Sequence, residues 1–198
     1  MRIDYFAEHK PKIIDISREY GILIPLVEID RQWHLLFETR SKLMRRQPGE
    51  VCFPGGRVEP NESCKDAAIR ECCEELGITK KNIALIGPMD SFISSAGDHL
   101  CPYVAKLRDV DPDSLNINKD EVDSVFLVPI EHLKAQRPES YRVETKLIPR
   151  QDFPYHKIGE TQTYNWRGRD YVVLFYYFKD KVIWGMTAKL VERLLHYL

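Results

Sequence analysis

Between residues 21 and 40 the apolar positions fall into two strand-length blocks, GILIPLVEID and WHLLFETR, parted by a short polar RQ. Runs of this length, rich in β-branched and aromatic residues and bounded by polar breaks, predict a strand hairpin. The same pattern recurs in IALIGPM (83–89), CPYVAKL (101–107), SVFLVPI (124–130), YRVETKLI (141–148) and YVVLFYYF (171–178). Two stretches carry a helical period instead. One runs from Ser63 to Leu76, with Ser63 placed to cap its start, Asp66 three residues on in a short form of the capping box, and Gly77 at its stop. The other runs from Thr187 to the C-terminus, with Leu190, Val191, Leu194 and Leu195 on one face. Many strands with a few helices between and after them predict an α/β (α+β) architecture, a mixed sheet flanked by helices. No repeat, low-complexity tract or linker divides the chain, so residues 1–198 are expected to form a single domain.

The first helix carries the chemistry. Glu71, Glu74 and Glu75 stand at i, i+3 and i+4, which gathers three carboxylates on one helical face. Like charges so close are destabilising unless a cation sits among them. Hard oxygen donors of this kind suit Mg²⁺ or Mn²⁺, and magnesium in particular favours a few carboxylates together with waters and substrate phosphates. Ahead of the helix, RRQPGEVCFPGGRVEPNE (45–62) brings Gly55 and Gly56, which let a loop turn tightly beneath a metal and a phosphate. Glu62 and Arg70 are spaced to pair across the turn from loop to helix and lock one onto the other.

Read from Gly56, the spacing is G-x5-E-x7-R-E-U-x-E-E-x-G-U, ending on Gly77 and Ile78, with Cys72 as a small apolar choice at the first U. In every fixed position this resembles the signature of the Nudix hydrolases. The resemblance implies a Nudix-type α/β/α sandwich and hydrolysis of a nucleoside diphosphate linked to another moiety. It implies Glu71, Glu74 and Glu75 as metal ligands, Glu74, Glu75 and Arg70 as catalytic residues, and Glu62 and Gly77 as structural support. The general base stays open between Glu74, Glu75 and Glu121, an acid poised before a strand. His99 is a further titratable residue, and a histidine beside a strand is more often structural.

Upstream, LLFETRSKLMRRQPGEVCFPGG resembles the coenzyme A diphosphatase subgroup, with Arg40, Ser41, Arg45, Gly49 and FPGG (53–56) in register. Glu38 departs from it, standing where the subgroup has threonine. The C-terminal VIWGMTAKLVERLL is similar to the same subgroup. The resemblance implies a small-molecule substrate, coenzyme A or a thioester of it, cleaved to 3',5'-ADP and a 4'-phosphopantetheine species. Arg40, Arg45, Gly55 and Gly56 become its binding residues, the arginines as forked donors to phosphate. Two alternatives stay open: a pyrophosphatase for ADP-ribose or another nucleoside diphosphate derivative, and a catalytically silent ligand sensor. The sensor would be expected to have lost metal carboxylates, and none is lost.

Bulk properties narrow the rest. A formal net charge of −1 excludes a globally basic nucleic-acid binder, so any phosphate site is local. Five cysteines without a C-x-x-C pair favour neither zinc nor a disulfide framework, and fit a reducing cytoplasm. The N-terminal residues have no apolar h-region, the last three, HYL, are no peroxisomal signal, and the longest apolar run (171–178) is too short to span a bilayer. The expectation is a cytoplasmic protein with no membrane or nucleic-acid partner; homodimer formation stays open. The segment 136–170, polar with aromatics at intervals, reads equally as a ligand-facing loop or a poorly packed excursion.

Overall fold

A computed structural model of the chain describes residues 7–9, 13–159 and 164–198. It divides into two compact units, one ending at His132 and the other running from Leu133 to Leu198. In the first, β1 (Arg18–Ile29) and β2 (Gln32–Arg40) form the hairpin, with Leu26 opposite Leu35 and Ile29 opposite Gln32. The turn is Asp30–Arg31, one residue earlier than the polar RQ. Both residues have positive φ, 49° and 63°, the two-residue geometry whose twist matches a hairpin.

β7 (Asp98–Leu107) lies parallel to β1, pairing Glu19 with His99 and Gly21 with Cys101. β5 (Ile83–Pro88) runs antiparallel to β7, and β8 (Val122–Pro129) antiparallel to β2. The short strands β3 (Val51–Cys52), β4 (Gly55–Arg57) and β6 (Phe92–Ile93) pair with β2, β1 and β7 respectively. The result is a large mixed sheet, as the pattern of strands and helices implied. Runs of two or three residues carry too little periodicity to announce strands, and these three were not expected.

Across this sheet lies α1 (Cys64–Leu76). Ser63 Oγ accepts from the Asp66 N–H at 3.2 Å and donates to the Asp66 carboxylate at 2.6 Å, so the cap works in both directions. Gly77 ends the helix in the left-handed conformation, φ 65°. A Cβ at Gly77 would also strike the backbone of Asn116. Ala68, Cys72 and Leu76, four residues apart, turn inward against Leu23, Val27, Leu36, Ala105 and Leu107. Each large apolar side chain buried there stabilises the unit by roughly 1.5–3 kcal/mol. Gly21 makes this approach possible, because a side chain on it would run into the Cys64 carbonyl and the Ala68 N–H.

In the second unit β9 (Glu139–Val143), β10 (Tyr171–Phe178) and β11 (Lys181–Trp184) form an antiparallel sheet, followed by α3 (Gly185–Tyr197). A third helix, α2 (Ile130–Ala135), spans the division between the units. α3 buries Ala188, Leu190, Val191 and Leu194, the expected face except that Leu195 is only half-buried. β9 is shorter than YRVETKLI suggests. β10 begins opposite Val143, and Thr145 beyond it spends its hydroxyl on the backbone of Arg169. In the aromatic segment Phe153, Tyr155, Tyr164 and Trp166 pack edge-on against one another, with the indole of Trp166 donating to the Tyr155 hydroxyl at 3.2 Å. Among the described residues no helix is long and apolar enough to cross a membrane.

Candidate active site

Helix α1 meets the glycine loop through its carboxylates. The Gly55 N–H donates to Glu75 Oε2 at 2.9 Å, and the Glu75 residue is only 3% exposed. Gly56 faces Glu71 so closely that a Cβ there would overlap its carboxylate. A Cβ at Gly55 would stand 2.5 Å from the Gly21 carbonyl. The two glycines therefore let the loop lie directly on two helix carboxylates, which no larger residue permits.

Part of the repulsion within the glutamate row is answered internally. Arg70 grips Glu62 with a two-point fork, Nε to Oε1 at 2.9 Å and Nη2 to Oε2 at 3.0 Å, tying the end of the loop to the helix. Its Nη1 donates to Glu71 at 2.8 Å and to Glu74 at 3.3 Å, and Nη2 also reaches the Arg57 carbonyl. Hydrogen bonding to Arg70 holds the Glu62 carboxyl below its usual range. Glu74 points to solvent on this arginine, its side chain 56% exposed.

The third corner of the acid cluster comes from another part of the chain. Carboxylate oxygens of Glu71, Glu75 and Glu121 all lie within 4.8 Å of one another, and Glu74 stands outside that trio. The placement of Glu121 follows from how α1 ends. The Glu75 carbonyl, one of the last-turn acceptors that a helix leaves open, takes the Asn118 N–H at 2.9 Å. The Asn118 carbonyl then accepts from the N–H groups of Glu121 and Val122, and the Glu121 carbonyl accepts from Ser41 at the end of β2. An acid before a strand was visible in the sequence; the docking of its loop on the helix end was not.

Glu38 was not expected at this site. It is 1% exposed, on β2, and it lies near enough to Glu71, Glu75 and Glu121 to feel their charge. Its Oε1 accepts from the Cys52 thiol at 3.2 Å, while Oε2 is buried with no hydrogen-bond partner among the described residues. Burial pushes its carboxyl up to about 7, and burial likewise raises Glu71 and raises Glu75 well above the carboxylate range. Buried, mutually repelling oxygens with one unmet acceptor form a donor set suited to a hard divalent cation.

The upstream residues serve the loop in this structure. Phe53 is core, stacked on Phe37 at 4.6 Å between ring centres. Arg40 Nε donates to the Arg46 carbonyl at 3.4 Å, and the backbone of Arg40 pairs with Glu50 and Gly49, closing residues 41–50 into a loop. Arg45 is exposed on that loop.

Comparison with known proteins follows the same lines. The NUDIX domain model matches residues 19–151. Nudix hydrolase 3 of Caenorhabditis elegans is 36% identical over 132 residues, 64% of this chain and 55% of that protein. Peroxisomal coenzyme A diphosphatase NUDT7 of Mus musculus is 29% identical over 184 residues, 88% of this chain and 67% of that protein. The chain thus spans little more than half the length of the nematode relative. The crystal structure of a MutT/nudix family protein from Enterococcus faecalis superposes with a TM-score of 0.53 at 16% identity, covering 97% of this chain and 66% of that one, which speaks to the fold alone.

Proposed function

Since the chain belongs to the Nudix family, whose members generally use divalent metal ions, we propose that its carboxylate cluster hydrolyses the diphosphate of coenzyme A or a coenzyme A thioester. In this reading residues 1–198 work as one hydrolase domain. The observation that carries the chemistry is the trio Glu71, Glu75 and Glu121 with oxygens within 4.8 Å. These three side chains would hold the cation, Mg²⁺ or Mn²⁺. When bound, it neutralises diphosphate charge and lowers the pKa of water for attack on phosphorus.

The protein's own groups prepare that site. The Gly55 N–H sets the direction of the Glu75 carboxylate, and Arg70 sets Glu71. Glu62 anchors Arg70 in turn, so that loop and helix keep their spacing. Asn118 and Ser41 hold the backbone of Glu121 from two sides. Positioning of this kind accounts for much of what an enzyme contributes to phosphoryl transfer.

The choice of coenzyme A is supported by the register of Arg40, Ser41, Arg45 and FPGG and by the mouse relative matched over 88% of the chain. The test is a panel of coenzyme A, an acyl-coenzyme A, dephospho-coenzyme A and ADP-ribose with Mg²⁺ or Mn²⁺, with product masses recorded. The expected products are 3',5'-ADP and 4'-phosphopantetheine. Preferential cleavage of ADP-ribose would replace the coenzyme A assignment while keeping the chemistry.

A further inference from the structure

A second group of metal-type donors lies elsewhere on the sheet, and no step of the diphosphate chemistry uses it. The parallel pairing of β1 with β7 sets Glu19 beside His99 and Gly21 beside Cys101. Because strand side chains alternate, His99 and Cys101 share one face of β7. It is the face on which α1 begins. Gly21 has no side chain, so the first residue of α1, Cys64, comes down onto the sheet there, its thiol near enough to Cys101 to influence it.

The distances are those of a site close to assembled. A carboxylate oxygen of Glu19, a ring nitrogen of His99 and Cys101 Sγ all lie within 4.8 Å of one another. Cys101 Sγ is 3.6 Å from His99 Nδ1, and a tetrahedral zinc with its usual bond lengths separates sulfur and nitrogen ligands by about 3.5 Å. Glu19 Oε1 is 3.0 Å from Nδ1, a hydrogen bond that would open by about 0.3 Å around such an ion. The sulfur is nearly equidistant from the two ring nitrogens, 3.6 and 3.7 Å, so the imidazole must rotate for Nδ1 to point at a cation shared with it. Nε2 already meets the Ser91 hydroxyl at 3.1 Å, the outer hydrogen bond that orients a ligating histidine. Glu19 leaves the cluster open on one side, its side chain 48% exposed, while Cys101 closes the other.

We propose that Glu19, His99 and Cys101, with Cys64 turning in as the fourth ligand, form a second metal site that takes a soft divalent cation of the zinc class. Its sulfur and nitrogen donors set it apart from the all-oxygen trio of α1, which suits a hard ion. An ion there would pin the start of α1 to β1 and β7, and so brace the helix that carries Glu71 and Glu75. The sequence hid the set because its members lie on separate elements, Glu19 and His99 being 80 residues apart. No C-x-x-C spacing announces it.

Cobalt is the probe. Full-length reduced protein in excess Mg²⁺, which occupies the carboxylate trio, is titrated with Co²⁺ and followed by thiolate-to-cobalt absorption in the near ultraviolet. One equivalent should develop the band, and Zn²⁺ should then bleach it. Cys101→Ser and His99→Gln should each weaken binding at least tenfold, Cys64→Ser should lose about half the band intensity per cobalt, and Glu75→Gln should leave the titration unchanged. Circular dichroism of each metal-free variant checks that it is folded. Absence of the band in the wild type, or a band that survives in both Cys101→Ser and His99→Gln, would overturn the site. Undiminished intensity in Cys64→Ser would overturn the four-ligand assignment.

Discussion

The backbone N–H of Gly55 and the carboxylate of Glu75 are joined by a 2.9 Å hydrogen bond, which ties the glycine loop to the helix. The adjacent Gly56 sits against Glu71 with no room for a methyl group. Gly56→Ala should therefore displace the Glu71 carboxylate and lower kcat/KM by about a hundredfold or more, since small misplacements of catalytic groups carry penalties of that order. The fold should survive, because the displaced atoms end a flexible side chain. Gly55→Ala presses on the Gly21 carbonyl instead and should also lower Tm. Steady-state kinetics with parallel melting curves separate the two variants.

Glu74 and Glu75 are neighbours in sequence with different surroundings. Glu75 is buried in the trio, and Glu74 is exposed on Arg70. Glu71→Gln, Glu75→Gln and Glu121→Gln should each lower kcat by two or more orders of magnitude, while Glu74→Gln should lower it by about tenfold or less. Glutamine keeps the helix propensity of glutamate, so stability should change little in the α1 variants. Comparable losses for Glu74→Gln and Glu75→Gln would show that Glu74 leaves Arg70 when substrate binds.

Stability should depend on pH in a direction set by the raised carboxyls. Glu38, Glu71 and Glu75 hold protons more tightly folded than unfolded. Their contribution is complete below the unfolded carboxylate range and is lost as pH rises, for Glu38 between 4.5 and about 7. Glu62, held low by Arg70, works the other way at more acid pH. Metal-free protein in chelator should thus lose stability from pH 5 to 8, with Glu38 accounting for on the order of 3 kcal/mol. Mg²⁺ or Mn²⁺ should raise Tm more at pH 8 than at pH 5, and Glu38→Gln should flatten the metal-free curve. Thermal melts across pH with and without metal check all of these.

Arg40 and Arg45 test the substrate. If they hold phosphates of coenzyme A, lysine at either position keeps the charge and loses the fork, so kcat/KM should fall by about 1–3 kcal/mol in transition-state terms. With dephospho-coenzyme A, which lacks the 3'-phosphate, the arginine that reads this group should matter much less. Small and equal effects on both substrates would assign the arginines to closing the 41–50 loop, as Arg40 does through the Arg46 carbonyl.

How much of this the sequence disclosed depended on the range of the interaction. The capped helix from Ser63 to Gly77 and the hairpin of β1 and β2 are governed by neighbours within a few residues, and both were legible. The facing of Glu71 and Glu75 follows from helical spacing; the same spacing set Glu74 with them, whereas its side chain lies on Arg70 toward solvent. Glu121 was visible only as an acid before a strand, because its placement depends on Asn118 docking at the end of α1. Glu38 looked like a departure in a loop-proximal strand. Its burial comes from flanking strands, Cys52 on one side and Val125 on the other, that only the folded sheet supplies. Glu19, His99 and Cys101 meet through a parallel pairing, and no local pattern encodes which distant strand lies alongside.

Glu71, Glu75 and Glu121 are together proposed to hold the catalytic cation. The most direct measurement is Mn²⁺ affinity, read from the loss of the free-ion electron paramagnetic resonance signal, in the wild type and in Glu71→Gln, Glu74→Gln, Glu75→Gln and Glu121→Gln. Binding should weaken at least tenfold with the changes at 71, 75 and 121 and stay nearly unchanged with the one at 74. Wild-type affinity in Glu121→Gln together with its loss in Glu74→Gln would contradict that proposal.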